Sequence, residues 1–140
     1  ISISHFSKEN NILYNKEDKE KMEYGTYMHY LFETTDFRNP KTDNKKVLNF
    51  ISKLDLNCNI YKEYEFIYID EAGEKHGIID LMLEYPDHID IYDYKLKNTS
   101  DEAYKKQLNG YKKYIENKTK KKVFTYLYSI LDEKIDKMVD

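Results

Sequence analysis

The stretch from Gly77-Ile78-Ile79-Asp80 to Asp93-Tyr94-Lys95 constrains this chain more than any other. It reads as two strand-like runs joined by Tyr85-Pro86-Asp87-His88. Four-residue hairpin loops are usually built on a type I turn, and proline is favoured at its second position. With Glu84 and Ile89 closing that loop, the register sets Asp80 directly opposite Asp93. Like charges facing each other across a sheet are destabilising. At ~5 Å and an effective dielectric of ~20 the repulsion is roughly 3 kcal/mol. A sequence that accepts this cost points to a cation held between the two carboxylates. Lys95 lies two residues beyond Asp93 and projects from the same strand face. Two acids and a lysine on one sheet face form a metal-dependent hydrolase arrangement.

The rest of the chain frames that hairpin. Residues from about 17 to 37 read as a helix, with Tyr24, Met28, Leu31 and Phe32 at near-helical spacing and Asn39-Pro40 ending it. A second helix is expected over about 43–54, with Val47, Leu48, Phe50, Ile51 and Leu54 as its apolar stripe. Ile60 to Ile69 reads as a strand and Asp70-Glu71-Ala72-Gly73-Glu74 as a turn. Strands over 76–85 and 89–96 complete a meander of three. Asp101 is the expected N-cap of a helix over about 102–117, and Lys122 to Ile130 the last strand. The order predicts a mixed α/β sheet flanked by helices, in one domain spanning 1–140.

Composition narrows the function. The chain has 40% hydrophobic and 35% charged residues, and Cys58 is its single cysteine, which excludes a disulfide framework or a cysteine-ligated cluster. No apolar run reaches membrane-spanning length, and the expectation is a cytoplasmic setting. The first residues do not form a signal peptide, and the missing initiator Met suggests a piece of something longer. The net charge of −3 is unevenly spread. Residues 95–122 carry ten Lys against three acids, a net of +7, and residues 1–94 carry −8. A solvated lysine-rich helix face is the common explanation. The sharper one is a phosphate-tracking surface beside an acidic pocket.

Three further groups bear on the site. Hard divalent cations want carboxylate oxygens, and Mg²⁺ takes one or two protein carboxylates plus waters and substrate phosphates. The neighbours Ile78, Met82 and Ile91 are expected to share the acids' face and bury it, where unpaired acids are costly. His29 has Glu33 one turn further along its helix. A single helical histidine is more often packed or exposed than a ligand, and His5, His76 and His88 are read that way. Gln107 and Tyr111 lie one turn apart, in a helix whose stripe Tyr104, Leu108, Tyr111 and Ile115 packs on the sheet. The fifteen tyrosines are evenly spread and read as compositional bias rather than a base-stacking surface.

Placed in order, Gly25-x3-His29, Gly77-x2-Asp80, Asp93-Tyr94-Lys95 and Gln107-x3-Tyr111 resemble the motif series of the RecB-like branch of the PD-(D/E)XK nuclease superfamily. The series covers about 87 of 140 residues. Tyr24-Gly25-Thr26-Tyr27-Met28-His29 and Lys62-Glu63-Tyr64-Glu65-Phe66 look like the nuclease domain at the C-terminal end of AddA helicase–nucleases, and Ile3-Ser4 resembles that domain's opening segment. The resemblance implies a restriction-endonuclease-like core. It implies that His29, Asp80, Asp93 and the main-chain carbonyl of Tyr94 bind Mg²⁺, and that Lys95 is the catalytic lysine. Gln107 and Tyr111 would lie near the substrate backbone, and Glu63 is a possible supporting acid. The implied activity is Mg²⁺-dependent DNA cleavage by an exonuclease module in double-strand break repair. Its implied partners are DNA strands, a helicase motor in the same parent chain and an AddB-like subunit. A histidine ligand is softer than Mg²⁺ prefers, so Mn²⁺ is expected to substitute. The chain departs from the family in having Leu96 where a threonine often follows the lysine and Tyr24 where arginine is common. Its one cysteine excludes the iron–sulfur branches. The alternatives are a free-standing RecB-like exonuclease and a DNA-binding module of the same fold without catalysis.

Overall fold

A computed structural model describes residues 16–97 and 102–139. Among the described residues three helices, α1 (Lys16–Thr34), α2 (Lys45–Ser52) and α3 (Glu102–Thr119), flank five strands, β1 (Asn59–Asp70), β2 (Gly73–Glu84), β3 (His88–Lys95), β4 (Lys122–Ser129) and β5 (Lys134–Lys137). The sheet order follows the chain, β1 to β5, with every neighbour antiparallel except β3 and β4, which run parallel. A parallel pair needs a crossover, and α3 provides it. The result is an α/β fold with a mixed sheet. The expected N-cap Asp101, together with Ile3, Ser4 and His5, lies outside the described residues.

Local chemistry sets the boundaries. The side chain of Asn44 accepts from the N–H groups of Lys46 and Val47 and starts α2. Helix α1 stops at Thr34, short of the expected 37. There the Lys62 ammonium takes the carbonyls of Glu33 and Thr35, and the Asp36 carboxylate accepts from Arg38 N. This frees Phe37 to enter the core at 3% exposure. The β1–β2 turn places Gly73 at φ 112, a region glycine tolerates best. Strand β5 was not anticipated, because Lys134-Ile135-Asp136-Lys137 is short and mostly polar. In the β2–β3 connection Tyr85 N donates to the His88 carbonyl at 2.8 Å, so the reversal is confined to Pro86 and Asp87. The expected register nevertheless holds, from Glu84 against Ile89 to Leu81 against Tyr92.

The sheet has a core on each face. On one, Met28, Phe32, Phe37, Val47, Phe50 and Ile51 of the α1–α2 side cover Leu81, Leu83, Tyr92, Tyr94 and Tyr128. On the other, Leu108, Tyr111 and Ile115 of α3 cover Ile79, Met82, Ile89, Ile91 and Val123. Residues two apart on a regular strand share a face. Yet Leu81 belongs to the first core and Ile79 to the second. The partner strand does the same: Ile60 packs with the first core, and Tyr64, Phe66 and Tyr68 with the second. The β1–β2 register is unchanged on both sides, Lys62 against Leu81 and Tyr64 against Ile79. Both strands therefore turn over at one position, which leaves Glu63 and Asp80 out of the ladder. Glu63 takes φ 49, a left-handed conformation that costs a non-glycine residue roughly 1–2 kcal/mol.

This inversion corrects one expectation. Ile78 does not share the buried face of Met82 and Ile91: it is 37% exposed and belongs to neither core.

Candidate metal centre

The β2–β3 ladder ends where the acids begin. One step past Leu81 and Tyr92, backbone pairing gives way to a side-chain bond in which Tyr94 N donates to Asp80 Oδ2 at 2.7 Å. The strands open there, and β3 continues beside β4, with Asp93 against Leu127 and Lys95 against Ser129. The Asp93 carboxylate is near enough to raise the Asp80 pKa. Asp93 Oδ2 is buried without an aligned hydrogen-bond donor among the described residues, and Lys95 Nζ sits 3.5 Å from it.

From the other side of the gap, α1 presents His29. Its Nδ1 lies 4.0 Å from Asp80 Oδ1, and its ring packs edge-on against Tyr94 at 5.6 Å. Glu63 arrives from β1 through its left-handed conformation. Ligand atoms of His29, Glu63 and Asp80 all lie within 4.8 Å of one another, the one such group among the described residues; the expected ligand Asp93 is not a member of it, and Glu63 stands in its place. The family resemblance offers Glu63 only as a supporting acid. Its signal is structural, the shared inversion with Asp80, which no spacing pattern encodes.

Electrostatics mark the same point. Burial, and then the Asp93 carboxylate, push the Asp80 pKa well above its ordinary value, while the Tyr94 N–H pulls it down. Burial raises Glu63 as well, helped by Glu33, Glu65 and Asp93. Burial lowers His29 against the pull of Asp93, which favours the neutral imidazole that ligates metals. Three acids and a neutral histidine around one gap, with an unbonded buried oxygen, suit a hard or borderline divalent cation.

The expected substrate-side pair divides. Tyr111 is 5% exposed, and its hydroxyl lies 3.4 Å from Ile78 N, so it braces β2 beside Asp80 rather than facing solvent. Its seat explains Gly77: a Cβ there would meet Phe66 ring carbons at 2.6 and 2.8 Å and Tyr111 at 2.9 Å. Gln107, one turn before Tyr111, is exposed. The basic segment is partly committed to internal contacts. Lys118 donates to Tyr64 Oη at 2.7 Å, Lys121 to Glu84 at 3.0 Å, and Lys112 is buried. This favours the plainer explanation of its charge for those residues. His76 and His88 pair locally, with Glu65 and Asp87.

No family model matches the chain, and no curated protein matches it. No helix among the described residues is long and apolar enough to cross a membrane.

Proposed function

We propose that this chain is a divalent-metal-dependent DNA nuclease domain with a PD-(D/E)XK core. On this reading it is the exonuclease module of an AddA-like helicase–nuclease that acts in double-strand break repair. The observation that carries the reading is the gap at the end of the β2–β3 ladder. There Asp80 and Asp93 crowd together with His29 and Glu63 beside them, and Lys95 is held at 3.5 Å from Asp93. His29, Glu63 and Asp80 would hold Mg²⁺ or Mn²⁺, with Asp93 and the Tyr94 carbonyl added on the resemblance to the RecB-like motif series. When bound, the cation supplies Lewis acidity and lowers the pKa of water. The chain's own residues do the rest. Asp80, fixed by the Tyr94 N–H, orients the donor set. Lys95 offers an ammonium to negative charge developing on a phosphate. Gln107 stands exposed on the helix above, one turn from the braced Tyr111.

The test is cleavage of labelled linear and circular DNA by wild type, Asp80→Ala and Lys95→Ala, in Mg²⁺, in Mn²⁺ and in chelator. The reading expects cleavage with either metal, none in chelator, and loss in both variants. Metal-independent DNA binding without cleavage by any of the three proteins would replace it with a binding module. Cleavage with Mg²⁺ and none with Mn²⁺ would remove His29 from the ligand set.

A further inference from the structure

Tyr104 is the one member of its helical stripe that the core does not absorb. Leu108, Tyr111 and Ile115 are 2%, 5% and 1% exposed and lie in the α3-side core. Tyr104 stays half-buried outside that core, and its ring centroid lies 3.9 Å from Lys95 Nζ. Resting on the nuclease reading above, we infer that Tyr104 is the positioning residue for Lys95: its aromatic face holds the ammonium in register with Asp93 and leaves one N–H direction for a substrate phosphate.

The geometry follows from what an ammonium needs. It has three donors and no acceptor. Asp93 Oδ2 lies 3.5 Å from Lys95 Nζ and the Tyr104 ring centroid 3.9 Å from it, so two partners leave the ammonium a donor to spare. Tyr104 is the third residue of α3, which begins at Glu102. A cation over the ring is attracted by its quadrupole, so the Tyr104 face supplies a partner that no charged group need supply. Lysine on a four-carbon stem is otherwise free to swing, and Lys95 is 32% exposed. An aliphatic residue at 104 would fill the space and leave the ammonium unheld.

A cation–π contact of this kind is worth about 0.5–2 kcal/mol. Tyr104→Leu is therefore expected to lower kcat about tenfold on labelled linear DNA in Mg²⁺, with KM within about twofold of wild type. Tyr104→Phe keeps the ring face and is expected to stay within about threefold of wild type. Replacing Tyr104 by phenylalanines of increasing ring fluorination preserves shape and drains the quadrupole, so kcat should fall stepwise along the series. The contact also has a readout independent of activity. The ring should shift the Lys95 Hε resonances upfield in the NMR spectrum of wild type, and Tyr104→Leu should return them to ordinary values. A flat fluorination series, an effect confined to KM, or unshifted Lys95 resonances would each overturn the assignment. Shifted resonances in a wild type that cleaves no DNA would keep the contact, sink the nuclease reading, and with it the positioning role.

Discussion

The two ends of the β2–β3 pair carry partly or fully buried acids on different terms. At the turn end the ladder is intact and the chain supplies the countercharge. Lys121 bonds Glu84 at 3.0 Å and the Tyr85 carbonyl at 2.9 Å, and holds the Glu84 pKa below its usual value. Asp90, raised by burial, has His88 at 3.7 Å and the charge of Lys137 to temper it. At the open end, Asp80 and Asp93 meet each other, and one lysine serves the pair. Where the sheet closes, Glu84 has a lysine from within the chain, and His88 and Lys137 only temper the burial of Asp90, whose Oδ1 has no hydrogen-bond partner among the described residues. Where it opens, the acids outnumber the cations, and burial together with Asp93 raises the Asp80 pKa; on the nuclease reading proposed above, a bound cation would supply the missing charge.

The strongest way to break this comparison is at the open end. Asp93→Ala is expected to reduce cleavage by about 10³-fold, the several kcal/mol that metal-assisted charge stabilisation supplies. Asp80→Asn should do likewise, yet raise the melting temperature in chelator, since it removes a carboxylate that burial and Asp93 both oppose. Activity lost together with stability would mean that the pair is structural. Next in size is Gly77→Ala. Its Cβ clashes with Phe66 and Tyr111, so the variant should lose about 1–3 kcal/mol by denaturant titration and weaken cleavage through β2. An unchanged midpoint would show that the rings can move aside.

How much of this was legible depends on which physical rule each residue obeys. The register of Glu84 against Ile89 follows from turn chemistry and alternation, and both are local. Val47, Phe50 and Ile51 of the expected α2 stripe are local as well, whereas Leu48 is exposed and Leu54 lies past the helix end. What alternation could not show is the inversion at Glu63 and Asp80. It needs two strands to break the same rule at facing positions, and neither residue type announces it. The exposure of Ile78 and the arrival of Glu63 at the site both follow from it. Tyr104 was hidden for a related reason: helical spacing put it in the packing stripe, and its contact with Lys95 is long-range.

The closed end should respond in the reverse sense to the open one. Lys121→Met leaves Glu84 without its cation, both groups being less than a third exposed. The expected cost is about 1–2 kcal/mol of stability, with cleavage unchanged. A loss of activity equal to that of Asp93→Ala would mean that the two ends are coupled and that the contrast is false.

The smallest effect sharpens the contrast through pH. An acid that binds its proton more tightly folded than unfolded favours the native state as it protonates. Burial raises the folded Asp90 pKa above the ordinary 3.8. Its contribution is therefore fully present below that value and lost as pH rises through the folded pKa. Asp90→Asn carries no such charge, so it should gain about 1 kcal/mol over wild type at pH 7 and lose that advantage toward pH 4. Denaturant midpoints of the two proteins across this range give the answer. Curves that stay parallel would show that His88 and Lys137 already cancel the burial of Asp90. The turn end would then be fully compensated, and the open end would be the one place on this hairpin where charge is left unbalanced.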